Sequence, residues 1–295
     1  MATPRRSTWD RDIGVALARV EAACDRGARR AQDPVDLVHR YRDPLEQELV
    51  AVVAASVAFG NVRAIQVKLG EILDRLGPSP LRTSDDPALV KRRLRGFRHR
   101  VFRGEDIACL VLGGRRAQVR HGTLGRLFQG AFDRATAAGD DDPLRAALIT
   151  FVDEIRALGG FPSDPSRRGP RHLLPDPRGR SAMKRLVLFL RWMVRPADGV
   201  DLGLWTLSPE HLLIPVDVHI ERIGRNLGFT REKTATWKAA REITAGLRRY
   251  APRDPAGYDF ALCHLGMQTR CRERRDPVCE SCAMRPVCRH WRPCG

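Results

Sequence analysis

Six of the eight cysteines in this 295-residue chain fall within the last 33 residues: Cys263, Cys271, Cys279, Cys282, Cys288 and Cys294. The stretch "CRERRDPVCESCAMRPVC" spaces four of them as Cys271-x7-Cys279-x2-Cys282-x5-Cys288. Four thiolates at such gaps suit either zinc or a 4Fe–4S cluster. Zinc ribbons usually carry two CxxC pairs, and here only Cys279 and Cys282 form one. A compact run with unequal gaps is the commoner form of a cluster loop. A further five-residue gap leads to Cys294, so a ligand set shifted by one cysteine stays open. Cys263 reads as structural, as do Cys24 and Cys109 within apolar helical patterns. A disulfide knot fits poorly, because "MATPRRSTWDRD" has no apolar core and no secretory signal is visible.

A second group able to do chemistry is one carboxylate. In "LLIPVDVHIERIGRNLGF", residues 212–229, Asp217 follows a proline-broken apolar run and precedes a basic amphipathic helix. An Asp there is first a helix N-cap, accepting an orphan backbone N–H. The helix dipole would also keep it ionised. Such a carboxylate is held in place and charged, ready to stabilise a developing positive charge.

A third feature is the excess of cations. Lys+Arg 52 against Asp+Glu 35 gives a net charge of +17 and attracts polyanions, nucleic acid first. Only five of these cations are lysines. The densest run is Lys91–Arg103, "KRRLRGFRHRVFR", with seven Lys/Arg and no acid. Arginines there, Arg98, Arg100 and Arg103 among them, suit phosphates, and the interleaved Phe97 and Phe102 suit stacking on bases. The alternative is a solvated basic helix whose Phe side chains face the core. No apolar run is long enough to span a bilayer, so a cytoplasmic, nucleoid-associated protein is expected.

Helices must position these groups. Ile13, Leu17, Val20 and Cys24 recur at helical spacing. Leu49–Leu76 reads as a buried helix, a break at "FGN" and a second helix. Residues 105–119, 143–158, 181–195, 218–228 and 234–249 also fit helices. Strand alternation is absent, so the fold class is all-α. Residues 161–180, with five prolines, form a loop and a tight hairpin.

"IPVDVHIERIGRNLGF" followed by a four-cysteine loop resembles the helix-hairpin-helix DNA glycosylases of the endonuclease III superfamily. "ELVAVVAASVAFGNV" is similar to the family's early barrel helix. "GFRHRVFRGEDI" and "RLVLFLRWMVR" are similar to an uncharacterised bacterial branch of the superfamily. The resemblance implies a two-domain all-α fold with a six-helix barrel over 45–212. Residues 1–44 and 213–295 would form the cluster-bearing domain. It also implies a 4Fe–4S cofactor on Cys271, Cys279, Cys282 and Cys288, although the first cysteine gap is one residue longer than in the family.

The family hairpin clasps a DNA phosphate with backbone N–H groups. "PDPRGRSA" keeps Gly179, Arg180, Ser181 and Ala182 of it, while Pro177 removes one donor. The family's wedge residue would fall at Ala58, with Phe59 and Asn61 as substitutes.

The resemblance assigns catalysis to Asp217 and to a lysine near the hairpin. Lys184, 33 residues before Asp217, is the only lysine between residues 92 and 232. It lies on the apolar stretch "SAMKRLVLFLRWM". That gap resembles the archaeal 8-oxoguanine glycosylases, whose lysine also precedes a "PVD" aspartate by a long connection. A neutral lysine can attack C1′ and form a Schiff base, which arginine cannot do. The expected function is a monomeric bifunctional DNA glycosylase and AP lyase on double-stranded DNA containing damaged, oxidised bases. The alternatives are a non-catalytic DNA- or RNA-binding protein and a hydrolase of modified nucleosides or RNA. Trp192 and Trp205 are read as core residues before pocket residues.

Overall fold

The computed structural model describes residues 8–164, 166–271 and 276–291. Among them the secondary structure is helical except for one short antiparallel hairpin, Arg98–His99 with Phe102–Arg103, and an isolated bridge between Ser181 and Thr236. The protein is mostly helical, in line with the all-α expectation. No helix among the described residues is long and apolar enough to cross a membrane.

One local device starts many of these helices. Asp-Pro pairs open Pro44–Val57, Pro87–Leu94 and Pro143–Gly159. The carboxylates of Asp43, Asp86 and Asp142 accept the N–H groups of Leu45, of Ala88 and Leu89, and of Arg145. Each cap satisfies a donor with no intrahelical partner and contributes about 1 kcal/mol. The proline costs nothing there, because its missing N–H would have had no acceptor.

The chain divides into two compact units. The larger comprises Gly27–Gly179 and Leu188–His211. The smaller takes the residues up to Arg26, then Arg180–Val187, then everything from Leu212 on. Where boundaries near 45 and 212 are expected, residues 27–44 group with the larger unit, because the Val35–Val38 turn packs on Pro44–Val57. Arg180–Val187 groups with the smaller.

In the larger unit, Pro44–Val57 is the central helix and is buried from Glu48 through Val57. Glu48 survives burial because four donors meet its carboxylate. They are Trp205 Nε1 at 2.6 Å, Leu124 N at 2.9 Å, Gly125 N at 3.0 Å and Gln118 Nε2 at 3.1 Å. It thus caps the Leu124–Ala137 helix from outside and anchors Trp205. That indole packs among Phe128, Phe151 and Phe189. Trp192 is wholly buried, so both tryptophans are core residues.

In the smaller unit, Thr8–Ala22 packs on Asp259–Thr269 and on the Arg285–Val287 turn. Ile13, Leu17 and Val20 face inward as their spacing requires, and Cys24 falls just past the helix end, half-buried. Tyr250 Oη donates to Asp10 Oδ1 at 3.1 Å and fixes the helix start. Val218–Asn226 and Trp237–Arg248 complete the helical frame.

Candidate active site

Asp217 is the N-cap of Val218–Asn226. Its Oδ1 accepts the N–H groups of His219 at 2.8 Å and Ile220 at 2.9 Å. Lys184 is the first residue of the Lys184–Val194 helix. Its Nζ lies 3.0 Å from Asp217 Oδ2. The pair therefore joins the starts of two helices, where dipoles favour negative charge and oppose positive charge. The Asp217 side chain is 15% exposed and that of Lys184 40%. The carboxylate is thus fixed on one side while the amine keeps access to solvent. Met183, just before Lys184, has a left-handed backbone with φ 50°, a conformation that costs a non-glycine residue about 1 kcal/mol or more.

The two groups hold each other charged. Burial pushes the Asp217 carboxyl up, but the Lys184 ammonium and the Ile220 N–H outweigh it and hold it below the usual carboxylate range. Burial pushes the Lys184 amine down, but Asp217 outweighs that too and holds it above its ordinary value. The sequence-based expectation of a populated neutral amine is corrected here: the resting form is an ion pair.

Cys263, read from sequence as structural, belongs to the same cluster. Its Sγ lies 3.4 Å from Asp217 Oδ2. Burial, then the neighbouring Asp217 and Asp259 carboxylates, push the thiol well above its ordinary value, so it stays protonated.

The hairpin residues are positioned by two sets of bonds. In the larger unit, Arg145 donates to three successive carbonyls, Pro177 O at 2.9 Å, Arg178 O at 3.1 Å and Gly179 O at 2.7 Å. In the smaller unit, Ser181 bridges Thr236. Ala182 N donates to Ala235 O at 2.9 Å and Trp237 N to Arg180 O at 3.0 Å. The N–H of Gly179 is also engaged, by Asp176 O at 3.2 Å. Of the expected phosphate clasp, Gly179 and Ala182 have thus committed their N–H groups internally.

The basic run is not one helix. Pro87–Leu94 ends, and Arg98–His99 pairs with Phe102–Arg103 around a turn whose Arg100 has φ 54°. Phe97 and Phe102 are buried, so neither is available to stack on a base. Arg98 and Arg103 stand directly opposite each other in the register and are exposed. Like charges in that place repel unless an anion lies nearby. With Glu105 and Arg167 they line one open polar cavity. Arg100 lies over Phe59, 5.2 Å from the ring centroid. Phe59 is 40% exposed and meets His172 edge-on. Asn61 is spent on capping Val62–Leu76.

Cys271, Cys279, Cys282 and Cys288 line a single apolar cavity with Leu227, Leu265, Met284 and Trp291. Burial, then the other three sulfurs, push the Cys271 thiol up to about 11. Burial likewise raises Cys282 and Cys288. Asn226 Nδ2 donates to Cys271 Sγ at 3.2 Å. One nine-residue helix therefore carries the Asp217 cap at its start and a sulfur contact at its end. Among the described residues no three His, Cys, Asp or Glu side chains close to the spacing that one metal ion requires. Cys294 lies outside the described residues.

Sequence reasoning missed Arg145 and the contact of Cys263 with Asp217. Both act through tertiary contacts, 32 to 46 residues away, and leave no local pattern.

The chain belongs to the DUF2400 family, described as a protein of unknown function, whose sequence profile matches residues 33–268. That span takes in Lys184, Asp217 and Cys263 and ends before Cys271. No curated protein and no solved structure matches the chain.

Proposed function

We propose that this protein is a DNA glycosylase with AP-lyase activity on duplex DNA, with oxidised purines such as 8-oxoguanine as its first substrates. The observation that carries the reading is the 3.0 Å contact of Lys184 Nζ with Asp217 Oδ2. A half-exposed amine beside a fixed carboxylate has the parts for base excision. As the C1′–N bond breaks, the base leaves with the bonding electrons. The charge that develops on the sugar is stabilised by Asp217. Lys184 must first give up a proton, and Asp217 Oδ2 is the nearest acceptor. Its lone pair then forms the bond to C1′, and the resulting imine permits strand cleavage by β-elimination.

The four cysteines fit a 4Fe–4S cluster. Each iron takes a separate thiolate, so the sulfurs stand wider apart than the roughly 3.8 Å that one tetrahedral zinc at about 2.3 Å requires. Crowded thiols with raised proton affinity gain most from a cationic group among them, and the Asn226 donor suits a thiolate. When bound, the cluster cross-links the C-terminal loop.

A second reading, a non-catalytic nucleic-acid-binding protein, is favoured by one observation: the amine rests charged, as a phosphate contact would. Borohydride trapping separates the two. On duplexes carrying 8-oxoguanine, oxidised pyrimidines or an abasic site, the glycosylase reading expects a covalent adduct that Lys184→Arg abolishes while binding persists. Duplex binding without an adduct on any of them supports the second reading.

A further inference from the structure

Asp217 has four donors and no spare acceptor direction. Oδ1 holds two backbone N–H groups, and Oδ2 holds Lys184 Nζ at 3.0 Å and Cys263 Sγ at 3.4 Å. In the proposed reaction Lys184 must leave Oδ2 for C1′ and lose its charge. A carboxylate as buried as this one then has one oxygen short of a donor, and burial favours its protonation. A protonated Asp217 no longer stabilises the cationic sugar.

We propose that Cys263 is a positioning residue, resting on that glycosylase reading: its thiol keeps a donor on Asp217 Oδ2 when Lys184 departs, so the carboxylate stays ionised. A thiol suits the task chemically. It is neutral, so it does not compete with Lys184 as a counter-ion. It stays protonated beside two carboxylates, so it remains a donor and does not become a rival nucleophile. It sits on Asp259–Thr269, a helix separate from both partners. The charged and titratable groups that bear on Asp217, Lys184 and Cys263 are these three together with His219 and Asp259. All five lie in the smaller unit.

The test removes the lysine and titrates the carboxylate. Full-length Lys184→Ala protein labelled with [13Cγ]aspartate reports Asp217 by NMR, its signal assigned by loss in Asp217→Asn. Adding Cys263→Ala should raise the Asp217 midpoint by about one pH unit, the lower end for a hydrogen bond to a charged group. Adding Cys263→Ser instead should leave the midpoint at or below that of the Lys184→Ala parent, because the hydroxyl replaces the donor. An unchanged midpoint with alanine overturns the proposal, and so does serine behaving as alanine. The serine variant is nearly isosteric and keeps the test alive if alanine fails to fold. No DNA enters this measurement. Failure of the glycosylase reading shows separately, as wild-type protein that traps on no substrate.

Discussion

Lys184 and Asp217 open two different helices and meet at 3.0 Å. Each keeps the other charged, so removing one changes the protonation of the other. Asp217→Asn preserves the cap, since Asn is an equally good N-cap. It also removes the anion that holds the Lys184 amine up, and burial then lowers it. Labelling of Lys184 by a small aldehyde with borohydride, located by peptide mapping, should therefore become faster at pH 8 in Asp217→Asn. Base release should become slower by about a hundredfold or more. Both rates falling together would mean that the carboxylate activates the amine and does not restrain it.

The pH dependence follows with a definite sign. The amine is held above its ordinary value, so its neutral fraction grows with pH across the neutral and mildly alkaline range. Trapping limited by that fraction should rise about tenfold per pH unit. The carboxylate is held below its ordinary range and stays ionised throughout. A trapping rate flat between pH 7 and 9 would place proton loss after, and not before, the limiting step.

Anaerobically purified protein should be brown and contain about four iron atoms per chain. Replacing Cys271, Cys279, Cys282 or Cys288 by alanine should remove both colour and iron. Cys24→Ala and Cys109→Ala should keep them, since those cysteines do not line the cavity. A colourless chain with one zinc would refute the cluster.

Duplex affinity should weaken steeply with salt. Changing Arg98, Arg100 and Arg103 together to alanine should reduce the slope of log K against log salt by about 0.9 for each phosphate no longer neutralised. The change should have little effect on folding, because these guanidiniums make no ion pair among the described residues. An unaltered slope would move the DNA-binding surface elsewhere.

Glu48 offers a test of the larger unit. Glu48→Ala strands four donors, including the Trp205 indole N–H. Chemical denaturation should show a loss of about 3 kcal/mol or more. Glu48→Gln, which keeps an acceptor, should cost less.

Much of this architecture is readable in the sequence where its cause is local. The Asp-Pro starts, the "FGN" break after Val57 and the Asp217 cap are each decided within four residues. The Leu124–Ala137 helix goes unassigned in the sequence reading, although Leu124, Leu127, Phe128, Ala131 and Phe132 have helical spacing. Gly125 and Gly130 dilute its helix propensity, and its cap is shared with Glu48, far away in the chain. Phe97 and Phe102 resemble a stacking surface in sequence because they alternate with arginines. The tight turn at Arg100 sends both rings inward. Lys184 and Asp217 stand together in the sequence only through a resemblance. Cys263 stands apart from them altogether, because no periodicity announces a contact across 46 residues.

The smaller unit is assembled from three separated pieces of chain: the first helix, the eight residues around Lys184, and everything after Leu212. On a ribosome these emerge far apart in time. Most of the larger unit, through Gly179, is synthesised before Lys184 appears, and domains tend to fold as they emerge. The Thr8–Ala22 helix must wait for Asp259–Thr269 and the Arg285–Val287 turn before it can bury its apolar stripe. Asp217 likewise waits for Cys263. Base-excision chemistry, or whatever else the Lys184–Asp217 pair performs, is thus withheld from the nascent chain until translation is nearly complete.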